Sequence, residues 1–176
     1  MPELVLPSEE YRDSFLEALA EIKRNPIEAS VYHKELEVSE GTFAAYLKRL
    51  AADSRGEGLR PEQVPQTQYW IVEGREYLGR VNIRHWLNDV LSSPGGFGHI
   101  GAIIRPSARG NGIAGVVLAQ SLLRARELGL REVVLSANQE NVPSWRTIER
   151  GGGRLVAINE LSPGSFERRY VIRLEE

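Results

Sequence analysis

The stretch from Ile103 to Gly115 reads IIRPSARGNGIAG and separates a predicted strand from a predicted helix. Residues 98–104 favour a strand, and residues 113–128 carry apolar side chains at helical spacing. The helix side chains that are expected to face a core are Ile113, Val116, Val117, Ala119, Leu123 and Leu128. A helix start offers unpaired backbone N–H groups and the positive end of the helix dipole. The stretch therefore predicts a phosphate-binding turn.

Two glycines and one arginine give this turn its chemistry. Gly110 and Gly112 lack the Cβ that would keep an anion at a distance, and both can adopt positive φ. Arg109 places a cation directly before them. The alternative is a glycine-rich turn that only joins a strand to a helix. The arginine and the following helix favour the phosphate site, called here the phosphate loop (residues 109–114).

Two common phosphate-binding motifs fit the loop poorly. The chain contains no GxxxxGK(S/T) run, which disfavours a nucleoside triphosphatase. Gly110, Gly112 and Gly115 match the GxGxxG dinucleotide pattern, but that pattern should directly follow its strand in the first βαβ unit. Here Pro106 intervenes, the motif comes late in the chain, and residues 135–138 (LSAN) supply no acid. A dinucleotide-dependent oxidoreductase is therefore disfavoured.

The rest of the chain alternates between helical and strand patterns. Helices are predicted at residues 9–24, 40–52, 113–128 and 143–149. Strands are predicted at residues 3–6, 68–73, 77–86, 98–104, 132–136, 154–159 and 167–174. Residues 53–66 and 88–96 are expected to be connections, the first of them over the substrate. The order predicts an α/β (α+β) fold, a mixed, mostly antiparallel sheet with one parallel βαβ crossover and flanking helices.

Composition narrows the class of protein. The chain has 176 residues, of which 41% are hydrophobic, and its length fits one domain over residues 1–176. It has no cysteine, which excludes a disulfide scaffold, a cysteine-ligated metal site and a cysteine nucleophile. The net charge of -2 gives no general attraction to nucleic acid or to a membrane. With no signal-peptide pattern and no apolar run of about 18 residues, a cytoplasmic protein is expected.

Several motifs resemble those of the GNAT superfamily of acyl-CoA-dependent N-acetyltransferases. Residues 109–114 (RGNGIA) fit its Q/R-x-x-G-x-G/A pattern, and Ile104-x-Pro106 fits the end of its fourth strand. Residues 141–152 (NVPSWRTIERGG) are similar to its next motif. The chain also resembles a group of poorly characterised bacterial predicted acetyltransferases at residues 79–88 (GRVNIRHWLN) and 98–101 (GHIG).

The resemblance implies that acetyl-CoA lies in a V-shaped gap between the fourth and fifth strands. The backbone of the phosphate loop would hold the pyrophosphate through Arg109, Gly110, Asn111, Gly112, Ile113 and Ala114. The backbone of Ile103 and Ile104 would pair with the pantetheine arm. The N–H of Ile104 would then stabilise the oxyanion as an amine attacks the thioester.

The resemblance also implies roles for residues after the fifth strand. Asn138 and Asn141 would bridge the pantetheine, and the alternative for both is turn and cap chemistry. Many members of the family protonate the leaving thiolate with a tyrosine at the position that Ile148 occupies. Ser144 is the candidate acid that remains, and its alternative is a plain helix residue. No metal is expected, and acetyl-CoA is the expected cofactor, as a co-substrate.

A histidine is the natural candidate for the base because it titrates in the useful range. His85 is the first candidate and His99 the second, while satisfied hydrogen-bonding histidines are the alternative. Arg84, His85 and Asn88 are polar at the end of an otherwise apolar strand and form the candidate acceptor site. The predicted function is acetyl transfer from acetyl-CoA to an amine of a small molecule or peptide. A non-catalytic acyl-CoA sensor of the same fold is the alternative, and a homodimer is a further hypothesis.

Overall fold

The computed structural model describes residues 1–26, 29 and 35–174. Its helices are α1 (Arg12–Lys23), α2 (Phe43–Arg55), α3 (Asp89–Ser92), α4 (Ile113–Glu127) and α5 (Val142–Arg150). Its strands are β1 (Glu3–Val5), β2 (Gln66–Glu73), β3 (Glu76–Arg84), β4 (Ile100–Ile104), β5 (Glu132–Asn138), β6 (Arg154–Ser162) and β7 (Ser165–Arg173). The predicted class, a mixed α/β fold with mostly antiparallel strands and flanking helices, is confirmed.

The strands form two antiparallel sheets. One has the order β1-β2-β3-β4 and the other the order β5-β7-β6. The β4–α4–β5 crossover leads from the first sheet to the second. Over the described chain β4 and β5 are joined at their start, where the His99 N–H donates to the Val134 carbonyl at 2.7 Å. Beyond this contact no ladder connects the two strands in that part of the chain, and they leave the gap that the sequence predicts.

Each face of the first sheet has its own apolar core. On one face α1 and α2 cover an aromatic cluster, in which Phe15 stacks on Trp70 with ring centroids 4.9 Å apart. On the other face α4 packs Ile113 and Val117 against both sheets. A residue of β3 therefore points toward α1 and α2 or toward α4, depending on its place in the strand alternation.

The structure corrects several local predictions. Helix α2 continues to Arg55, into the predicted 53–66 connection, and ends at Gly56 in a left-handed conformation with φ +74°. The predicted 88–96 connection contains α3. The prediction that Leu123 faces the core is wrong, since its side chain is 60% exposed. Ala119 is also exposed, because the apolar pattern of α4 is broader than the face that packs.

Candidate active site

The phosphate loop leads from β4 into α4 through two positive-φ glycines. Gly110 has φ +86°, and Gly112, the N-cap of α4, has φ +73°. A Cβ placed on Gly110, Gly112 or Gly115 would meet no atom within 4 Å. The first turn of α4 therefore presents its unpaired N–H groups to open space, as an anion site requires. The Nε of Arg109 lies across the loop and donates to the Ile104 carbonyl at 2.9 Å.

An ion pair fastens the segment just before the loop to α1. Arg105 is buried, and its Nε donates to Glu21 at 2.8 Å. The same carboxylate accepts hydrogen bonds from the N–H and the hydroxyl of Ser107, both at 2.9 Å. Burial alone would raise the pKa of Glu21, but the hydrogen bonds from Ser107 and Arg105 outweigh it and lower that pKa. The sequence gives no sign of this pairing because Glu21 lies in a distant helix.

The backbone of β4 faces two directions. The N–H of Arg105 donates to the Leu78 carbonyl in β3 at 2.8 Å, so the adjoining carbonyl of Ile104 points away from β3. Strand alternation turns the N–H of Ile104 the same way, toward the gap between β4 and β5. Ile103 pairs with Arg80 in β3, and its side chain packs on the aromatic cluster. The structure thus places the predicted oxyanion donor on the gap side.

A groove of about 350 Å³ continues from the phosphate loop between α4 and α5. Its lining includes Gly112, Ala114, Gly115, Leu118, Thr147 and Arg150. Small residues of α4 keep the groove open on one side, and Arg150 supplies a positive charge on the other. The groove therefore has the place and charge for the nucleotide end of a ligand whose phosphates occupy the loop.

Both candidate histidines are held by specific partners. His85 Nε2 lies 2.8 Å from the hydroxyl of Thr67, and burial lowers the pKa of His85 below its ordinary 6.5. His99 Nδ1 accepts the Val134 N–H at 3.0 Å, which requires the neutral ring. Burial, and then the charge of Arg84, lower the pKa of His99. Both shifts favour the neutral ring, and the neutral His99 completes the junction of the two sheets.

The predicted acceptor residues do not form one cluster. Arg84 and His85 are consecutive and leave the end of β3 on opposite faces of the sheet. Asn88 uses its amide at the start of α3, where its Oδ1 accepts the Leu91 N–H at 3.0 Å. Its Nδ2 donates to the Glu62 carbonyl at 2.9 Å. The substrate role of these residues stays a prediction.

The face of β3 that points toward α1 and α2 carries polar residues that the sequence did not single out. Asn82 lies between Gln68 in β2 and Gly101 in β4. The Oε1 of Gln68 accepts the hydroxyl of Tyr46 at 3.1 Å and the Trp70 Nε1–H at 3.3 Å. Residues 80, 82 and 84 are arginine, asparagine and arginine. Their spacing of two is the period of one strand face, and it is the sequence signal that could have indicated a polar face on β3.

The comparisons with known proteins agree with this geometry. A family model described as the acetyltransferase (GNAT) domain matches residues 8–154. The chain belongs to the GNAT acetyltransferase family. The resemblance seen in the sequence motifs is thereby confirmed, and the chain is an acetyl-CoA-dependent N-acetyltransferase. No curated protein gives a significant sequence match.

Solved structures share the fold over nearly the whole GNAT chain. The ribosomal L7/L12 alpha-N-protein acetyltransferase RimL in complex with coenzyme A has a TM-score of 0.66 and 15% identity, covering 98% of this chain and 94% of that one. The Vibrio cholerae spermidine N-acetyltransferase in complex with CoA and spermine has a TM-score of 0.63 and 16% identity, covering 98% and 95%. The microcin C7 self-immunity acetyltransferase MccE in complex with acetyl-CoA and AMP has a TM-score of 0.65 and 17% identity. The match covers 98% of this chain and 92% of that one.

The second GNAT motif forms the start of α5. Asn138 ends β5 and its carbonyl accepts the Asn141 N–H at 2.9 Å. Asn141 is the N-cap of α5, and its Oδ1 accepts the Ser144 N–H at 3.3 Å. The amide nitrogen of Asn141 has no protein partner among the described residues, so it is available to a ligand. Ser144 is half-buried beside it.

The position of the usual GNAT tyrosine is part of the apolar core here. Ile148 is 7% exposed and packs so closely on Gly153 that a Cβ there would lie 2.5 Å from it. The tyrosine hydroxyl near this helix belongs to Tyr170 in β7, and it donates to Glu149 at 2.9 Å. Burial raises the pKa of Tyr170, so this hydroxyl is committed to the carboxylate.

Two further findings concern the described residues alone. Within that part of the chain, no helix is long and apolar enough to cross a membrane. The same residues contain no group of three histidine, aspartate or glutamate side chains that could hold a metal ion.

Proposed function

We propose that this GNAT enzyme transfers the acetyl group of acetyl-CoA directly to the amine of a small molecule or peptide. The observation that carries the proposal is the open phosphate loop, in which Gly110 and Gly112 expose the N-terminus of α4 beside the gap between the sheets. Such a turn favours the pyrophosphate of acetyl-CoA, because its negatively charged phosphate oxygens accept several backbone N–H bonds there.

The proposed path of acetyl-CoA follows from the described surfaces. The backbone of residues 109–114 binds the pyrophosphate, and the groove that ends at Arg150 receives the nucleotide. The pantetheine lies along β4 on the gap side, next to Ile104. The amide nitrogen of Asn141, which has no partner among the described residues, lies after β5 at the start of α5, where the resemblance places a pantetheine contact, and Asn138 and Ser144 lie beside it.

The proposed reaction has one transfer step. The amine nitrogen attacks the thioester carbonyl carbon, the new C–N bond forms, and the C–S bond breaks to release the thiolate of CoA. The Ile104 N–H stabilises the oxyanion in between. The proton lost by the amine nitrogen ends on the thiolate, carried by water or by Ser144. Burial lowers the pKa of His85, which favours its neutral ring, and its proposed role is to accept that proton first through water, since it leaves β3 on the face opposite Arg84.

We also propose a homodimer and a cytoplasmic location. The edge strand β6 carries exposed apolar side chains at Leu155, Val156 and Ile158, which a second copy would cover. Acetyl-CoA is made and used inside cells, which favours the cytoplasm. The related structures act on spermidine and on a ribosomal protein, and both classes of amine agree with a small-molecule or peptide acceptor. Light scattering on the purified protein tests the dimer.

Two measurements test the proposed function. Titration calorimetry should show CoA binding in the micromolar range, and the absence of binding at millimolar CoA would contradict the proposal. Release of free CoA thiol should then rise above background hydrolysis with at least one amine in a panel. Tight CoA binding without turnover on any amine would instead favour the non-catalytic sensor, which no comparison supports. His85→Gln should lower kcat by about 100-fold if His85 is the base.

A further inference from the structure

The centre of the first sheet contains a buried amide oxygen without a partner. Asn82 lies in β3 on the face that points toward α1 and α2, and its Oδ1 is buried and accepts no hydrogen bond from the residues that the structure describes. Buried polar atoms are nearly always hydrogen-bonded in folded proteins. An oxygen left unpaired at this place is therefore explained most simply by an N–H donor that arrives with a ligand.

Open space lies directly beside this oxygen. Gly101 is the partner of Asn82 in β4, so both residues share one face of the sheet. A Cβ on Gly101 would meet no atom of the described residues within 4 Å, whereas one on Gly79 in β3 would lie 2.2 Å from the Ile103 carbonyl. The opening at Gly101 is on β4, the strand whose other edge faces the acetyl-CoA gap. A small molecule placed there lies next to the proposed thioester.

The same face carries an arginine that forms no ion pair with a carboxylate of the described residues. Arg80 pairs with Glu35 at 2.9 Å, and both side chains are buried. Arg84, two residues farther on, donates to the Gly98 carbonyl at 3.0 Å and lies 5.6 Å from the ring of Phe97. No carboxylate lies within ion-pair distance of Arg84 in the described chain. Burial, and then the charge of Arg80, lower the pKa of Arg84, which agrees with a guanidinium that has no carboxylate beside it.

A second buried arginine fixes the loop against which Arg84 packs. Arg169 in β7 donates to the carbonyls of Ser92, Ser93 and Gly96, the last two at 2.9 and 3.0 Å. The loop that contains Phe97 and Gly98 is thereby held by the second sheet. The remaining donors of Arg84 keep a fixed direction, as a preorganised binding group requires.

We propose that Asn82 and Arg84 form the acceptor subsite, and that the acceptor is a small amine that also bears a carboxylate, an amino acid. This proposal rests on the proposed function. The Oδ1 of Asn82 accepts an N–H of the amine and leaves its lone pair for the thioester. Arg84 binds the carboxylate through its remaining N–H groups. Two strand residues on one face are about 7 Å apart, which fits an amine and a carboxylate a few bonds apart.

Charge separates this acceptor class from others. Arg84 repels a second cation, so a polyamine, which carries only ammonium groups, is disfavoured in this subsite. A carboxylate on the acceptor compensates the charge of Arg84, as Glu35 compensates that of Arg80. The structure thus assigns a specificity-determining role to Arg84 and a positioning role to Asn82.

The experiment compares free amino acids with their carboxamides, and with spermidine, as acceptors in the CoA-release assay. The wild-type chain should favour the best amino acid over its carboxamide by about 30-fold in kcat/KM. Arg84→Gln should remove that preference through KM, Arg84→Lys should restore part of it, and Asn82→Ala should lower kcat for both acceptors. Arg75→Gln, which removes an exposed charge in the β2–β3 turn, is the matched control and should change neither.

Other outcomes separate the two proposals. Equal rates with amino acids and carboxamides, or a preference for spermidine, would overturn the acceptor subsite while leaving acetyl transfer in place. If acetyl-CoA does not bind, the proposed function fails by itself, and equilibrium dialysis of labelled amino acids against the CoA-free chain decides the subsite. Binding that Arg84→Gln abolishes supports the subsite, and binding that it leaves unchanged contradicts it.

Discussion

The two sides of the gap between β4 and β5 are built in opposite ways. The acetyl-CoA side is a run of consecutive residues, 109–114, that offers backbone N–H groups and positive-φ glycines. The acceptor side consists of side chains from neighbouring strands, Asn82 and Arg84 beside Gly101, that only the strand register brings together. The acetyl-CoA side can bind an anion because its glycines leave backbone N–H groups accessible. The proposed acceptor side depends on two particular side chains.

This difference separates the effects of mutation. A change in the phosphate loop should alter the affinity for CoA whichever acceptor is used. A change at Arg84 should alter the choice of acceptor and leave CoA affinity unchanged. Variants that violate this division would show that the two sides are coupled through β4, which borders both.

The largest effect is expected at Gly112. Gly112→Trp fills the open space at the start of α4 and blocks its N–H groups, so the Kd for CoA should rise by about 100-fold or more. Titration calorimetry measures this change. Gly129→Trp is the matched control, since Gly129 also has positive φ (+85°) and open space but lies at the other end of α4. An equal loss of binding in both variants would mean that backbone strain, and not the loop, is responsible.

A smaller effect is expected at the ion pair beneath the loop. Glu21→Gln leaves the buried guanidinium of Arg105 without its counter-charge and should lower the free energy of unfolding by about 2 kcal/mol, less than a fully buried pair because Glu21 is partly exposed. CoA affinity should fall with it, because Arg105 and the Ser107 hydroxyl lose an acceptor oxygen that holds the segment before the loop. Denaturant unfolding of Glu17→Gln, an exposed change on the same helix, is the control.

The pH dependence of this ion pair has a definite sign. The pKa of Glu21 is lowered in the folded state from its usual value of 4.5. Its contribution to stability is therefore present above that value and lost as the pH falls through the lowered folded pKa. Wild type and Glu21→Gln should converge in stability at low pH. A difference that persists unchanged below pH 4 would contradict the ion-pair explanation.

The local parts of the fold could be predicted from the sequence, and the parts that depend on register could not. Helix α4 and the phosphate loop are encoded by residues 103–128, where glycine, arginine and apolar spacing are contiguous. The pairing of Glu21 with Arg105 and the place of Asn82 beside Gly101 need the strand order, which no local pattern specifies. Adjacency in the sequence suggests one site for Arg84 and His85, but strand alternation puts neighbours on opposite faces.

The junction that opens the gap gives the next prediction. His99 accepts the Val134 N–H, so His99→Leu leaves that group unpaired and should lower the free energy of unfolding by about 1 kcal/mol. His99→Asn retains an acceptor oxygen and should be nearly as stable as wild type at pH 8. Thermal or denaturant unfolding measures both variants.

Titration of His99 sharpens this test. Its pKa is lowered in the folded state, so wild type loses stability as the pH falls from the ordinary 6.5 to the lowered value. His99→Asn does not titrate and should lose less stability between pH 8 and pH 5. An identical pH dependence in the two proteins would show that the ring does not hold the sheets together through Nδ1.

The smallest effect is expected at Asn141, where capping and ligand binding share one side chain. Asn141→Ser keeps an N-cap oxygen for the Ser144 N–H but removes the amide nitrogen that is proposed to contact the pantetheine. Its free energy of unfolding should stay within about 0.5 kcal/mol of wild type, while the Kd for CoA rises about fivefold. Asn141→Ala should show the same loss of affinity together with about 1 kcal/mol of lost stability. If CoA binds Asn141→Ser as tightly as wild type, the amide only caps α5, and the acetyl-CoA side is then a backbone site on both flanks.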